Sequence, residues 1–221
     1  MNEVNHPHDA FFKDTMSKLE NARSFLAEYL PDDLLEIIDL EHLSLEKDSF
    51  IDENLKEFFS DLLYKVQIQG KDGYVYILME HKSTSAPQVA LQLLEYMVRC
   101  WRAKADEKES LPVIIPLVLY HGEAKWNISQ QFAGLIAQPD ARLARYIPDF
   151  HYLLHDVSSC EEANIRGITQ LKVFLWLLKY IRNPELEIKL KQIFQIFSKD
   201  YDSKYMSTIA LYLYYGVYTM E

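Results

Sequence analysis

The stretch FFSDLLYKVQIQGKDGYVYILMEHKST, residues 58–84, constrains this chain more than any other. Two runs of apolar, β-branched and aromatic residues flank a glycine-containing turn, which is the pattern of a β-hairpin. Side chains on a strand alternate between its faces with a period of two. Asp61, Leu63, Lys65 and Gln67 therefore share one face of the first run, and Leu62, Tyr64, Val66 and Ile68 the other. In the second run Tyr76, Leu78, Glu80 and Lys82 share one face, and Val75, Ile77, Met79 and His81 the other. The turn is expected within GKDG, residues 70–73. A two-residue turn at Gly70–Lys71 places Asp61 directly opposite Glu80. A four-residue GKDG loop places it opposite Lys82 and diagonal to Glu80. Both registers put Asp61, Glu80 and Lys82 together on an exposed patch, whereas a slip of one residue separates them.

Charge inside a strand is costly unless it is paired, solvated or bound to a metal. Two carboxylates and a backbone carbonyl, that of His81, are a ligand set for a hard divalent cation such as Mg²⁺. Beside them, a lysine orients or deprotonates a water, or offsets charge developing on a phosphoryl group. That combination suits phosphodiester cleavage. The plainer alternative is a surface ion pair of Lys82 with Asp61 or Glu80 across the strands.

The rest of the chain reads as alternating helices and strands. HDAFFKDTMSKLENARSFLAEYL has apolar residues at helical spacing, closed by Pro31. A short helix from Pro31 leads into a strand near His42 to Glu46. After the hairpin, APQVALQLLEYMVRCWRAKAD is a long amphipathic helix, with Gln88, Gln92 and Tyr96 on one stripe. VIIPLVLYHG is a buried strand ended by Gly122. A helix in WNISQQFAGLIA, a strand in YIPDFHYLLHDV, a helix from Glu161 to Ile181 and two further helical segments complete the chain. This order predicts an α/β fold, a mixed β-sheet flanked by helices with a helical C-terminal part.

Bulk properties narrow the class. The chain has 221 residues, enough for one large domain or a domain with an extension. The start is polar and acidic, so a signal peptide is not expected, and no apolar run is long enough for a membrane span. Cys100 and Cys160 are expected as free thiols in a reducing cytoplasm. The net charge of −10 argues mildly against bulk affinity for nucleic acid. The acids are concentrated early, with fifteen acids against five bases in residues 1–57. A local basic groove therefore stays open, with Arg99, Arg102, Lys104, Arg142, Arg145 and Lys172 as candidates to line it.

Asp61, the hairpin, and Glu80-His81-Lys82 resemble the core of PD-(D/E)XK nucleases. Five segments in order carry a closer likeness: DAFFK (9–13), FSDLLYKV (59–66), ILMEHKST (77–84), LQLLEYMVR (91–99) and IPLVLYHG (115–122). Together they resemble the recombination-promoting nuclease (Rpn) family, also described as YhgA-like transposases. The likeness implies a restriction-endonuclease-like fold, with a nuclease-like domain over residues 1–182 and a helical extension over 183–221. It implies a cytoplasmic enzyme that cuts DNA with Mg²⁺, or with Mn²⁺ or Ca²⁺, promotes recombination and defends against mobile DNA. Carried over by position, Asp61 and Glu80 are metal ligands together with the His81 carbonyl, and Lys82 is the catalytic lysine. Some family members have Gln at the position of Lys82. Gln92 and Tyr96 match positions that shape the active site, and Asp9 and Lys13 match an N-terminal motif. The partners implied are a DNA substrate and, as an open alternative, a second copy of the chain in a homodimer. A competing class is a catalytically silent module of the same fold that binds protein or DNA. Family members often run into a variable tail rich in Glu, Arg and Gly, whereas this sequence ends after YYGVYTM, so tail-dependent regulation stays open.

Other constellations read as structural. His6 and His8 lack further metal-ligating neighbours and are expected in a disordered terminus. His81 is expected on the core side. His121, at a strand end, is open to an auxiliary role, and His151 and His155 alternate with aromatics as packing residues. No nucleophile elbow and no Gly-rich phosphate loop is present. The aromatic YLYYGVY segment is expected to pack or to face a partner.

Overall fold

In the computed structural model, the described residues are 7–46, 60–80, 88–106, 110–122, 124–137, 140–197 and 203–218. Strands β1 (Ile38–Leu45), β2 (Ser60–Ile68), β3 (Lys71–Glu80), β4 (Val113–Tyr120) and β5 (Leu153–Asp156) form one sheet in the order β1-β2-β3-β4-β5. The first three run antiparallel as a meander, and β3, β4 and β5 run parallel. The mixed sheet flanked by helices is the α/β architecture expected from the pattern.

The hairpin turns one residue earlier than expected. Ile68 pairs with Lys71, so the turn is Gln69–Gly70, and both residues have positive φ, 51° and 74°. A two-residue turn of this mirror-image kind matches strand twist and requires the left-handed region at both positions. Gly70 fits its second position, where a glycine costs nothing. Lys71, Asp72 and Gly73, expected in the turn, belong to β3 instead. Asp72 then sits opposite Gln67 and takes a hydrogen bond from its Nε2 at 2.6 Å and an ion pair from Lys65 at 2.6 Å. These contacts hold the register at the turn end.

Helices cover both faces of the sheet. The first expected helix is two, α1 (Pro7–Met16) and α2 (Leu19–Tyr29), because Lys18 is extended between them. Asn21 donates its Nδ2 to the Thr15 carbonyl at 2.9 Å, supplying a donor at the break. A short α3 (Asp32–Leu35) leads into β1. The long helix after the hairpin is α4 (Val89–Asp106). WNISQQFAGLIA gives only a 3-10 turn, Phe132–Leu135. The helix expected from Glu161 starts later, as α5 (Thr169–Tyr180), because Gly167 at φ +107° breaks it from the 3-10 turn Glu162–Asn164. Last come α6 (Leu186–Phe197) and α7 (Ser203–Tyr218).

The period of two in β3 sorts two cores. Val75, Ile77 and Met79 join Phe11, Phe12, Phe25, Phe174 and Tyr205 on the face covered by α1, α2, α5 and α7. Tyr74, Tyr76 and Leu78 join Val89, Leu93, Tyr96, Met97 and Cys100 under α4. Each buried aliphatic here contributes about 2 kcal/mol of transfer free energy. The segment from residue 203 shares the first core: the Phe11 and Tyr212 rings stack at 4.2 Å, and the Tyr205 hydroxyl meets Thr15 Oγ1 at 3.2 Å. Both cysteines are free, and burial pushes the Cys100 thiol up to about 11. Among the described residues, no helix is long and apolar enough to cross a membrane.

His155 on β5 packs against the rings of Phe25 and Tyr29, at 5.4 and 4.1 Å. Burial pushes its imidazole down to about 4. The unfolded chain takes up this proton near pH 6.5 and the folded chain only near pH 4. Stability from this group is therefore complete above pH 6.5 and is lost as pH falls towards 4. His155→Phe should remove that slope. In urea unfolding, the wild type should lose roughly 3 kcal/mol more than the variant between pH 7 and 4. Equal losses would show that the imidazole is not desolvated in the fold.

Candidate active site at the carboxylate edge of the sheet

Asp61 is the second residue of β2 and Glu80 the last of β3, so both lie at one edge of the sheet, away from the hairpin turn. Asp61 pairs with Leu78. Its diagonal neighbours on the same face are therefore Tyr76 on the inner side and Glu80 on the outer side. Direct opposition to Glu80, and opposition to Lys82, are both corrected by the earlier turn. The shared face survives, because the registers differ by an even number of residues. Diagonal side chains across such a pair sit about 7–8 Å apart.

The face is not an exposed patch. Asp61 and Glu80 are each 8% exposed, and the face they share is the one covered by α4. The Tyr76 hydroxyl donates to Asp61 Oδ2 at 2.9 Å. The Tyr76 ring stacks on Tyr96 of α4, with centroids 3.6 Å apart and planes 10° from parallel. Burial first, then the Asp61 charge, push the Tyr76 phenol well above its ordinary value, so it stays a proton donor. The Arg99 guanidinium pulls it the other way.

Gln92 lies one helical turn before Tyr96. The connection from β3 enters α4 at its N-terminal end, so Gln92 is about 6 Å nearer the carboxylate edge. Its Oε1 is buried and accepts no hydrogen bond among the described residues. Asp61 and Glu80 share the face that α4 covers, and carboxylate oxygen is the donor that a hard cation such as Mg²⁺ takes. No three His, Cys, Asp or Glu residues converge as a ready-made metal cage among the described residues. The remaining expected parts, the His81 carbonyl and Lys82, lie outside the described residues.

Other candidates sit elsewhere. Asp9 and Lys13 are on α1, whose apolar side packs on the opposite face of the sheet from Asp61. His8 is not in a loose terminus: it is buried in α1, its Nδ1 is 2.9 Å from the Tyr212 hydroxyl, and its ring lies 4.8 Å from that of His121. His121 follows β4 and donates its backbone N–H to the Glu80 carbonyl at 3.2 Å, which steadies the end of β3. The expected basic groove is divided. Arg99, Arg102 and Lys104 lie on α4, Lys172 lies on α5 across the sheet, and Arg142 is spent on Asp140 at 2.7 Å.

Tyr76 and Asp156 were missed by reading the sequence. Tyr76 reads there as an ordinary strand aromatic. The signal available was its position four residues before Glu80 on the same face. Asp156 lies in register with Tyr120, itself in register with Glu80, but its carboxylate accepts from the Ser158 hydroxyl and the backbone N–H groups of Trp126, Ser158 and Ser159. It caps its own loop.

Comparison with known proteins identifies the family of the chain. Residues 6–207 match the family described as "Putative transposase, YhgA-like". The chain is 32% identical to recombination-promoting nuclease RpnC of Escherichia coli K12 over 199 residues, covering 89% of this chain and 66% of that protein. It is 32% identical to RpnA of the same strain over 197 residues, 88% of this chain and 67% of that one. It is also 32% identical to the inactive recombination-promoting nuclease-like protein RpnE over 181 residues, 81% and 60% of the two chains. The chain thus spans about two thirds of the length of these relatives. No solved structure matches it. By the match along nearly its whole length and by these relatives, the chain belongs to the YhgA-like transposase family, the family of the recombination-promoting nucleases.

Proposed function

We propose that this chain is a divalent-metal-dependent DNA endonuclease of PD-(D/E)XK type that promotes recombination. The observation that carries the reading is the diagonal pair Asp61 and Glu80, both buried on the face that α4 covers, at the end of the sheet where β3 and β4 stop. Two carboxylates held at low exposure on one face present the oxygen ligands that a hard cation takes. In this reading Asp61, Glu80 and the His81 carbonyl hold the metal by oxygen. Mg²⁺, when bound, polarises the phosphoryl group and acidifies a water. Lys82 orients that water or offsets the charge gathering on the phosphate. Arg99 and Arg102, on the helix over this face, meet the DNA backbone. A role in defence against mobile DNA belongs to the same proposal.

A second reading, a catalytically silent binding module, is favoured by one specific observation: a relative of equal identity is named as inactive. Plasmid cleavage by wild type and Lys82→Ala separates the two. With Mg²⁺ or Mn²⁺ the wild type should nick or linearise DNA, EDTA should stop it, and Lys82→Ala should be slower by about 10²-fold or more. A folded wild type that cuts nothing with any metal would favour the silent module.

A further inference from the structure

We infer that Tyr76, clamped by Tyr96, is a positioning residue that sets the metal affinity of Asp61. This rests on the proposal that Asp61 and Glu80 hold a divalent cation. The strand register brackets Asp61 between its two diagonal neighbours, Tyr76 and Glu80. Glu80 lies on the outer side, where the metal is proposed. Tyr76 lies on the inner side, 3% exposed, and gives its hydroxyl proton to Asp61 Oδ2 at 2.9 Å.

Two features make this contact an orienting device rather than incidental packing. First, the phenol cannot swing away, because its ring is stacked at 3.6 Å on Tyr96, a residue of another element. Aromatic pairs in contact resist rotation of either ring in a packed interior. Second, the acceptor is a carboxylate, and hydrogen bonds to ionised groups are shorter and stronger than neutral ones. One fixed oxygen sets the rotamer of the whole carboxylate, and so the direction in which its other oxygen points. Groups that orient metal ligands in this way typically alter metal affinity or activity 10- to 100-fold when removed. The chain thus prepares Asp61 from the side away from the metal, through a β3–α4 contact made when the fold forms.

Tyr76→Phe removes the hydroxyl alone and retains the ring, the stack and the burial. The test is Mn²⁺ binding by titration calorimetry on wild type, Tyr76→Phe and Asp61→Asn, with thermal unfolding of each in EDTA. The expected result is that Tyr76→Phe weakens the Mn²⁺ Kd about ten-fold while Asp61→Asn removes binding. Tyr96→Leu, which takes away the clamp but leaves the Tyr76 hydroxyl, should weaken Mn²⁺ in the same direction by less. The inference is overturned if Tyr76→Phe loses thermal stability but binds Mn²⁺ as the wild type does while Asp61→Asn does not. In that case the metal site stands and Tyr76 is only structural. If the wild type itself binds no Mn²⁺, the metal-site proposal falls and this inference with it.

Discussion

Asp61→Asn and Glu80→Gln should each reduce metal-dependent plasmid cleavage by about 10²-fold or more while leaving the fold intact. Each variant keeps the shape of the side chain and removes its charge, which is what a hard cation needs from an oxygen ligand. Stability should change little, or rise in the absence of metal. Both carboxylates are only 8% exposed, and an amide of the same shape costs less to bury than a charge. Added Mg²⁺ should then raise the melting temperature of the wild type and not of the variants, since a ligand that binds only the folded state stabilises it. The comparison is between thermal unfolding in EDTA and in millimolar Mg²⁺. Variants that melt well below the wild type in EDTA would mean that these carboxylates hold a structural ion pair instead.

The largest effect on stability is expected at Phe11. Its ring is 1% exposed and meets three others, Tyr212 at 4.2 Å, Phe174 at 5.2 Å and Tyr205 at 6.4 Å. Phe11→Ala opens a cavity where α1, α5 and α7 meet, at a cost of about 3–5 kcal/mol. For a chain of this size that is a fall of roughly 10 °C in melting temperature. Urea unfolding followed by far-UV circular dichroism would measure it. A loss below about 1 kcal/mol would mean that α7 does not seal this core.

The candidate site was partly legible in the hairpin. Alternation together with the register allowed by the turn put Asp61 and Glu80 on one face, since a shift by an even number of residues keeps them there. The turn was misplaced because GKDG offers glycines at both ends, and a sequence does not say which one takes positive φ. The structure gives that role to Gly70, with Gln69 before it. Exposure was misjudged for a different reason. The charges suggested water, but α4 lies over them, and only packing decides what covers a strand face. For Tyr76 the sequence offered only its place on the face of Glu80; its contact with Asp61, fifteen residues away in the chain, is made by the fold.

The helices divide in the same way. Amphipathic spacing located α4, α6 and α7 closely. It ran α1 and α2 together, because the pattern continues through Lys18 while the backbone does not. His8 looked peripheral and the aromatic C-terminal segment was expected to pack or to face a partner; their side chains meet in the interior at His8–Tyr212.

By itself, then, the sequence determined the mixed α/β class, the two-faced hairpin and the placing of Asp61 and Glu80 on one face. Each of these follows from local periodicity, which every residue carries with it. Tertiary structure alone decided that the carboxylates are buried, that a stacked tyrosine holds one of them, and that the two ends of the described chain close one core. Those are contacts between residues far apart in sequence, fixed only when the sheet and helices pack to exclude water.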